Sequence, residues 1–91
     1  MRNPSRLLIE ECAEVIQAVT KIDRFGIDNI NPYTQKTNRS NAEEEIGQLM
    51  FMIDAFVYEN DLDTNKISQA YSEKEKALEY WSQFEDGVRP T

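Results

Sequence analysis

The sequence predicts an all-α fold, and three observations carry that prediction. Apolar residues recur at spacings of three and four in three separate stretches, each stretch is preceded by residues that cap helices, and no strand-like alternation or internal repeat interrupts them. Asn3 followed by Pro4 reads as an N-cap with proline in the first helical turn, opening a helix over about 5–24 that Gly26 stops. Residues 27–39, with Pro32 and the asparagines Asn29, Asn31 and Asn38, are too polar and irregular for an amphipathic element. They read as a long loop, of a length that is uncommon in compact domains and often functional.

Ser40-Asn41-Ala42-Glu43 has the form of a capping box, and the apolar series Ile46, Leu49, Met50, Ile53, Phe56 and Val57 follows it. This predicts a second helix over about 40–60. Asp61 to Thr64 offers short polar caps for a third, over about 65–84, with Ile67, Ala70, Tyr71, Ala77, Leu78 and Trp81 on one side. Residues 85–91 read as a loose tail.

Ninety-one residues make one small domain, 1–91. A chain of this size buries only about two thirds of the surface its unfolded form exposes, so association with further copies is expected. The net charge of −7 argues against nucleic acid and anionic membrane as partners, since both repel an acidic surface. A polyphosphate substrate would need a cation between the like charges. There is no histidine, which excludes Ser-His-Asp and Cys-His nucleophile systems, HExxH zinc sites and the Glu-x-x-His motif of di-iron bundles. Oxygen ligands remain, and these suit Mg²⁺, with Mn²⁺ the alternative. The single Cys12 has no internal disulfide partner and stands among apolar residues, which reads as packing. A reducing cytoplasm fits. No stretch approaches a membrane span and no signal-peptide core opens the chain, so a soluble, unprocessed protein is expected.

The acidic residues are not distributed at random around the helices. In the first, the apolar stripe is Leu8, Cys12, Val15, Ile16, Val19 and Ile22; Glu11 lies roughly 75° from its centre and Glu14 roughly 135° to the same side. In the second, Glu45 and Gln48 take the same offsets, in the same sense, from a stripe centred near Ile53. Reversing a helix reverses its apparent rotation. Antiparallel packing of the two stripes would therefore bring both pairs out on one side of the seam, with Glu11 and Glu45 bordering the core. Such a group can hold a divalent cation and, through it, a phosphate. Glu43, Glu44 and Asp54 fall elsewhere and read as cap and surface residues.

Three cations and several loop residues complete the candidate site. Lys21 lies on the Glu14 side of the first helix, and Arg24 follows near the loop; together they are candidates to receive phosphate oxygens, beside their ordinary role as helix C-terminal charges. Lys74 stands in the middle of the third helix's apolar stripe, where it either snorkels to the edge or reaches an acidic or phosphate partner. Phe25, Tyr33 and Trp81 could stack on a base, and Asn29, Asn31 and Asn38 could meet its edge or simply shape turns.

Three segments in order resemble the MazG-like all-α nucleoside triphosphate pyrophosphohydrolases. Glu10-Glu11-Cys12-Ala13-Glu14 matches the family's EExxE, and Glu45-Ile46-Gly47-Gln48 matches its ExxD except at the last position. Lys21, Arg24, Phe25 and Gly26 look like the K-x-x-R-F-G segment of phage-type and bacterial relatives, and the run from Glu44 to Met50 looks like their EElGDvL helix. The resemblance, over roughly residues 5–80, implies a three-helix subunit that completes a four-helix bundle by dimerisation, as a homodimer or homotetramer. It also implies Mg²⁺-dependent cleavage of a nucleoside triphosphate to the monophosphate and pyrophosphate. Carried over by position, Glu11, Glu14 and Glu45 would be metal ligands, Glu11 or Glu14 the base, and Gln48 would stand where the family has aspartate. A glutamine there can coordinate through its oxygen but takes no proton at neutral pH. Two other readings accordingly stay beside the enzyme: a catalytically impaired relative that binds nucleotide or metal as a regulator, and a helical interaction protein whose acids are only solvated.

Overall fold

The computed structural model describes residues 3–82, so the expected tail over 85–91 and the end of the third helix past 82 lie outside the described residues. Three helices run in order: α1 Pro4–Phe25, α2 Asn38–Glu59 and α3 Thr64–Trp81. The chain separates into two compact units, Met1–Asp61 and Leu62–Thr91.

Each helix of the first unit is set by its ends. The Asn3 carboxamide accepts the Ser5 N–H at 2.9 Å with Pro4 beside it, which satisfies one of the orphan donors of the first turn of α1. Gly26 ends α1 at φ 95°, a backbone conformation that L side chains rarely adopt, and donates its N–H to Ile22. The start of α2 corrects the sequence expectation. Its N-cap is Thr37, whose hydroxyl accepts the Ser40 N–H at 3.0 Å, so Ser40 is already inside the helix and the capping box does not form the boundary. Asn38 and Arg39 are drawn into the helix because the loop fixes them: Asn38 N–H donates to the Asn29 carbonyl and Arg39 N–H to that of Ile27.

The connection is ordered by its own hydrogen bonds. An antiparallel bridge joins Ile30 to Thr37, and the Asn31 side chain accepts the N–H groups of Tyr33 and Thr34 in an Asx turn. Gln35 takes a positive φ of 64° to close the reversal.

This reversal makes α1 and α2 an antiparallel hairpin, and three pairings fix its register. Asn38 reaches the Lys21 carbonyl, Glu45 stands in the electrostatic field of Glu14, and Gln48 shares a cleft wall with Glu11; each step up α2 is a step down α1. The seam contains Leu7, Glu11, Val15, Ala18 and Ile22 from α1, and Ala42, Glu45, Leu49, Met52 and Phe56 from α2. Ala18 is 1% exposed and, with Ala42 and Met52, forms the buried apolar core among the described residues.

The seam is rotated from the one the apolar pattern suggests. Cys12, expected to pack, is exposed, and Ile16 is 65% exposed, with Val19, Ile46, Met50 and Ile53 also open. A stripe this wide cannot be covered by one partner helix, and contact through small Ala18 and Ala42 turns each helix toward its glutamates. The uncovered residues are offset from the seam in the same rotational sense on both helices, so they share one face of the hairpin. Glu14, Lys21 and Gln48 are offset the other way and share the opposite face.

In the second unit, the Asp63 carboxylate accepts the N–H groups of Asn65 and Lys66 and so starts α3. None of the described residues of α3 is buried. Among the described residues, no helix is long and apolar enough to cross a membrane.

Candidate functional site

Glutamate at a helix seam is costly unless something compensates it, and two of these seam glutamates lack compensation. Glu11 on α1 and Glu45 on α2 each hold an Oε2 atom out of solvent with no hydrogen-bond partner. Glu45 holds its proton to higher pH than a free glutamate, first because burial strips water from its charged form and then because Glu14, Glu11 and Glu44 repel that charge; Lys21 opposes the rise. Glu11, Glu14 and Glu45 thus share one field, which is what equal offsets on antiparallel helices produce.

Beside them is a cleft of about 550 Å³, walled by Glu11, Gly47, Gln48, Phe51 and Met52, with Glu43 and Glu44 also lining it. Gly47 leaves open space where a side chain would project. Gln48, exposed in this cleft, adds an amide that can offer its oxygen to a cation or its N–H₂ to an anion. Phe51 was not singled out by the sequence reading, although an aromatic residue out of phase with the α2 stripe is a signal of this kind. Glu44 is split between roles: its carboxylate takes both its hydrogen bonds from Lys36, at 3.0 Å, while its charge adds to the field at Glu45.

Lys21 relates the Glu45 carboxylate to the loop. It is half-buried, its charge acts on Glu45, and it lines a separate cleft of about 280 Å³ with Phe25, Asn29, Asn31, Tyr33 and Asn38. Arg24 is exposed and lies over the Phe25 ring, 5.3 Å from its centroid, a cation–π contact that turns it toward the same end of α1. Lys74 belongs to the second unit, where it lines a cleft with Tyr71, Glu75 and Leu78. Trp81 also lies on α3, against Tyr80 in an edge-to-face pair.

Asn38 has a structural task. It is 5% exposed and its Nδ2 donates to the carbonyls of Gly26, at 2.9 Å, and Lys21, at 3.4 Å, tying the start of α2 to the end of α1. An acidic residue or an apolar one in its place would leave both carbonyls without their donor.

The donor set suits a hard cation, since every candidate ligand presents oxygen and two of the oxygens lack partners. Among the described residues, no three histidine, cysteine, aspartate or glutamate side chains converge into a ready metal-binding group. Comparison with known protein families, characterised proteins and solved structures finds no match.

Proposed function

We propose that this chain is a Mg²⁺-dependent nucleoside triphosphate pyrophosphohydrolase, cleaving its substrate to the nucleoside monophosphate and pyrophosphate. The observation that supports it best is the pair of buried, unpartnered Oε2 atoms of Glu11 and Glu45, with the Glu11 charge acting on Glu45 across a seam that gains nothing from them without a cation. Glu11, Glu14 and Glu45 would hold Mg²⁺ or Mn²⁺, which when bound neutralises phosphate charge and makes a coordinated water more acidic. Gln48 would offer its amide oxygen beside them. Lys21 and Arg24 receive phosphate oxygens as charged donors, and Glu14, exposed on the cleft side of the hairpin, takes the proton of the attacking water. Lys74, on the second unit, is assigned no part in this site.

The exposed face bearing Ile9, Ile16, Val19, Met50 and Ile53 is the surface on which a second copy would complete a four-helix bundle, as a homodimer or homotetramer. Sedimentation of the full chain tests this: twice or four times the monomer mass is expected, and Ile16→Asp shifts it to the monomer. A monomer at micromolar concentration in the unaltered chain defeats the assembly.

A second reading is favoured by the neutral Gln48 and by the absence of a converged three-carboxylate group among the described residues: a protein that binds metal and nucleotide without turning it over. Pyrophosphate release from a panel of canonical and modified nucleoside triphosphates, with Mg²⁺ or Mn²⁺, separates the two. Turnover is expected, reduced on the order of a hundredfold by Glu14→Gln and raised by Gln48→Asp. Metal binding without release from any nucleotide establishes the second reading, and no metal binding at all defeats both.

A further inference from the structure

The cleft at the loop end of the hairpin differs in chemistry from the acidic one. Phe25, at the end of α1, is 59% exposed with Arg24 over one face of its ring, and Tyr33, in the loop, is 93% exposed, with Pro32 beside them. Such rings are a stacking surface for a flat heterocycle. Asn29 and Asn31 bring carboxamides to the same walls. Asn31 spends its Oδ1 on the Tyr33 and Thr34 N–H groups, which leaves its N–H₂ as the donor it has to offer, while the Nδ2 of Asn38 is spent on the two helix-end carbonyls. The loop is also organised in advance. The Ile30–Thr37 bridge, the Asn31-to-Lys36 and Gln35-to-Asn31 backbone bonds and the positive φ of Gln35 hold its shape without a ligand, so little ordering is lost on binding.

Lys21 gives this cleft a direction. It lines the loop cleft and its charge acts on Glu45, which relates the rings to the carboxylates. From Lys21 to Glu14 is seven residues of α1, a rise of about 10 Å, which leaves room for phosphates to run from one cleft to the other.

We infer that the α1–α2 loop is a nucleobase subsite: Phe25 and Tyr33 stack on the ring, Asn29 and Asn31 bond its edge, and Lys21 receives the first phosphate. The phosphates beyond Lys21 rest on the proposed reading of the acidic cleft, whereas the base contact does not.

The test uses the full chain, isotope-labelled, in chelator so that no divalent cation is present, and follows amide signals on titration with AMP, GMP, CMP, UMP and, separately, ribose 5-phosphate. At least one mononucleotide is expected to shift signals over residues 25–38, including the side-chain amides of Asn29 or Asn31. Tyr33→Ala, at a fully open position that folding does not depend on, weakens that binding about tenfold. Ribose 5-phosphate binding as tightly as every mononucleotide overturns the inference, because the loop then senses phosphate alone. So does a loop whose signals stay still with all four nucleotides, even if pyrophosphate release proceeds. Shifts in the loop with no pyrophosphate release leave the base subsite standing and count against hydrolysis instead.

Discussion

The two ends of the α1–α2 seam use the same kinds of residue to opposite effect. At the loop end, polar side chains are paired: Asn38 ties two carbonyls, Asn31 closes a turn, Arg39 Nε meets Asp28 at 3.0 Å and Lys36 meets Glu44 at the same distance. About two turns of each helix, Asn38 to Glu45 on α2 and Lys21 to Glu14 on α1, separate this from a region where Glu11 and Glu45 turn carboxylate oxygens into the seam with nothing to receive them. Buried polarity that is satisfied holds a fold together, and its removal is read as lost stability. Buried polarity left unsatisfied costs stability, and a chain that carries it at matched positions on two helices has a ligand as the simplest compensation.

The largest expected effect lies at the paired end. Asn38→Ala removes the donor to Gly26 and Lys21 from a residue that is 5% exposed, and should cost about 2 kcal/mol in urea denaturation. A loss indistinguishable from zero would mean that the loop bonds and the Thr37 cap align α1 with α2 without it, and the contrast between the ends would fail on its stable side. Arg39 and Asp28 are not expected to behave this way, although each favours the charged form of the other through their hydrogen bond and then their charges. Both are exposed, and exposed pairs are screened by solvent and salt.

Helix number, the Asn3 cap with Pro4 and the 61–64 stretch within which Asp63 caps α3 were legible in the sequence because they depend on local chemistry, whatever α1 and α3 pack against. The equal offsets of Glu11 and Glu45 were legible for a similar reason, since rotation about a helix axis is fixed by spacing alone. The start of α2 was not. Ser40 and Thr37 are both competent caps, and the choice between them is made by the Ile30–Thr37 bridge and the Asn38 bonds, contacts with residues far along the chain. Nor was the half-covered stripe legible. Cys12 and Ile16 have the composition of core residues, and only the close approach through Ala18 and Ala42 determines that they stay open. Asn38 illustrates the same limit at the candidate site: its residue type suits a base edge as well as a buried tie, and only its burial decides for the tie.

The smaller effect lies at the unpaired end and has the opposite sign. Glu45 holds its proton to higher pH in the folded protein than in the unfolded chain, through burial first and then the charges of Glu14, Glu11 and Glu44 on the two helices that meet there, with Lys21 opposing. Its contribution to stability is therefore full below the ordinary carboxylate range and is lost as pH rises through its raised value. Glu45→Gln removes a charge that the fold resists, so in chelator the variant should melt above the unaltered protein at neutral pH, and the two should converge at about pH 4. Added Mg²⁺ should reverse the order, because a cation bound only by the folded carboxylates stabilises the unaltered chain in proportion to the logarithm of its concentration and leaves the variant little changed. A neutral-pH gain without reversal would make Glu45 a strained seam residue and nothing more. No gain at all would mean that water or Lys21 already compensates its charge, and the contrast between the two ends would then be one of exposure and not of unsatisfied polarity.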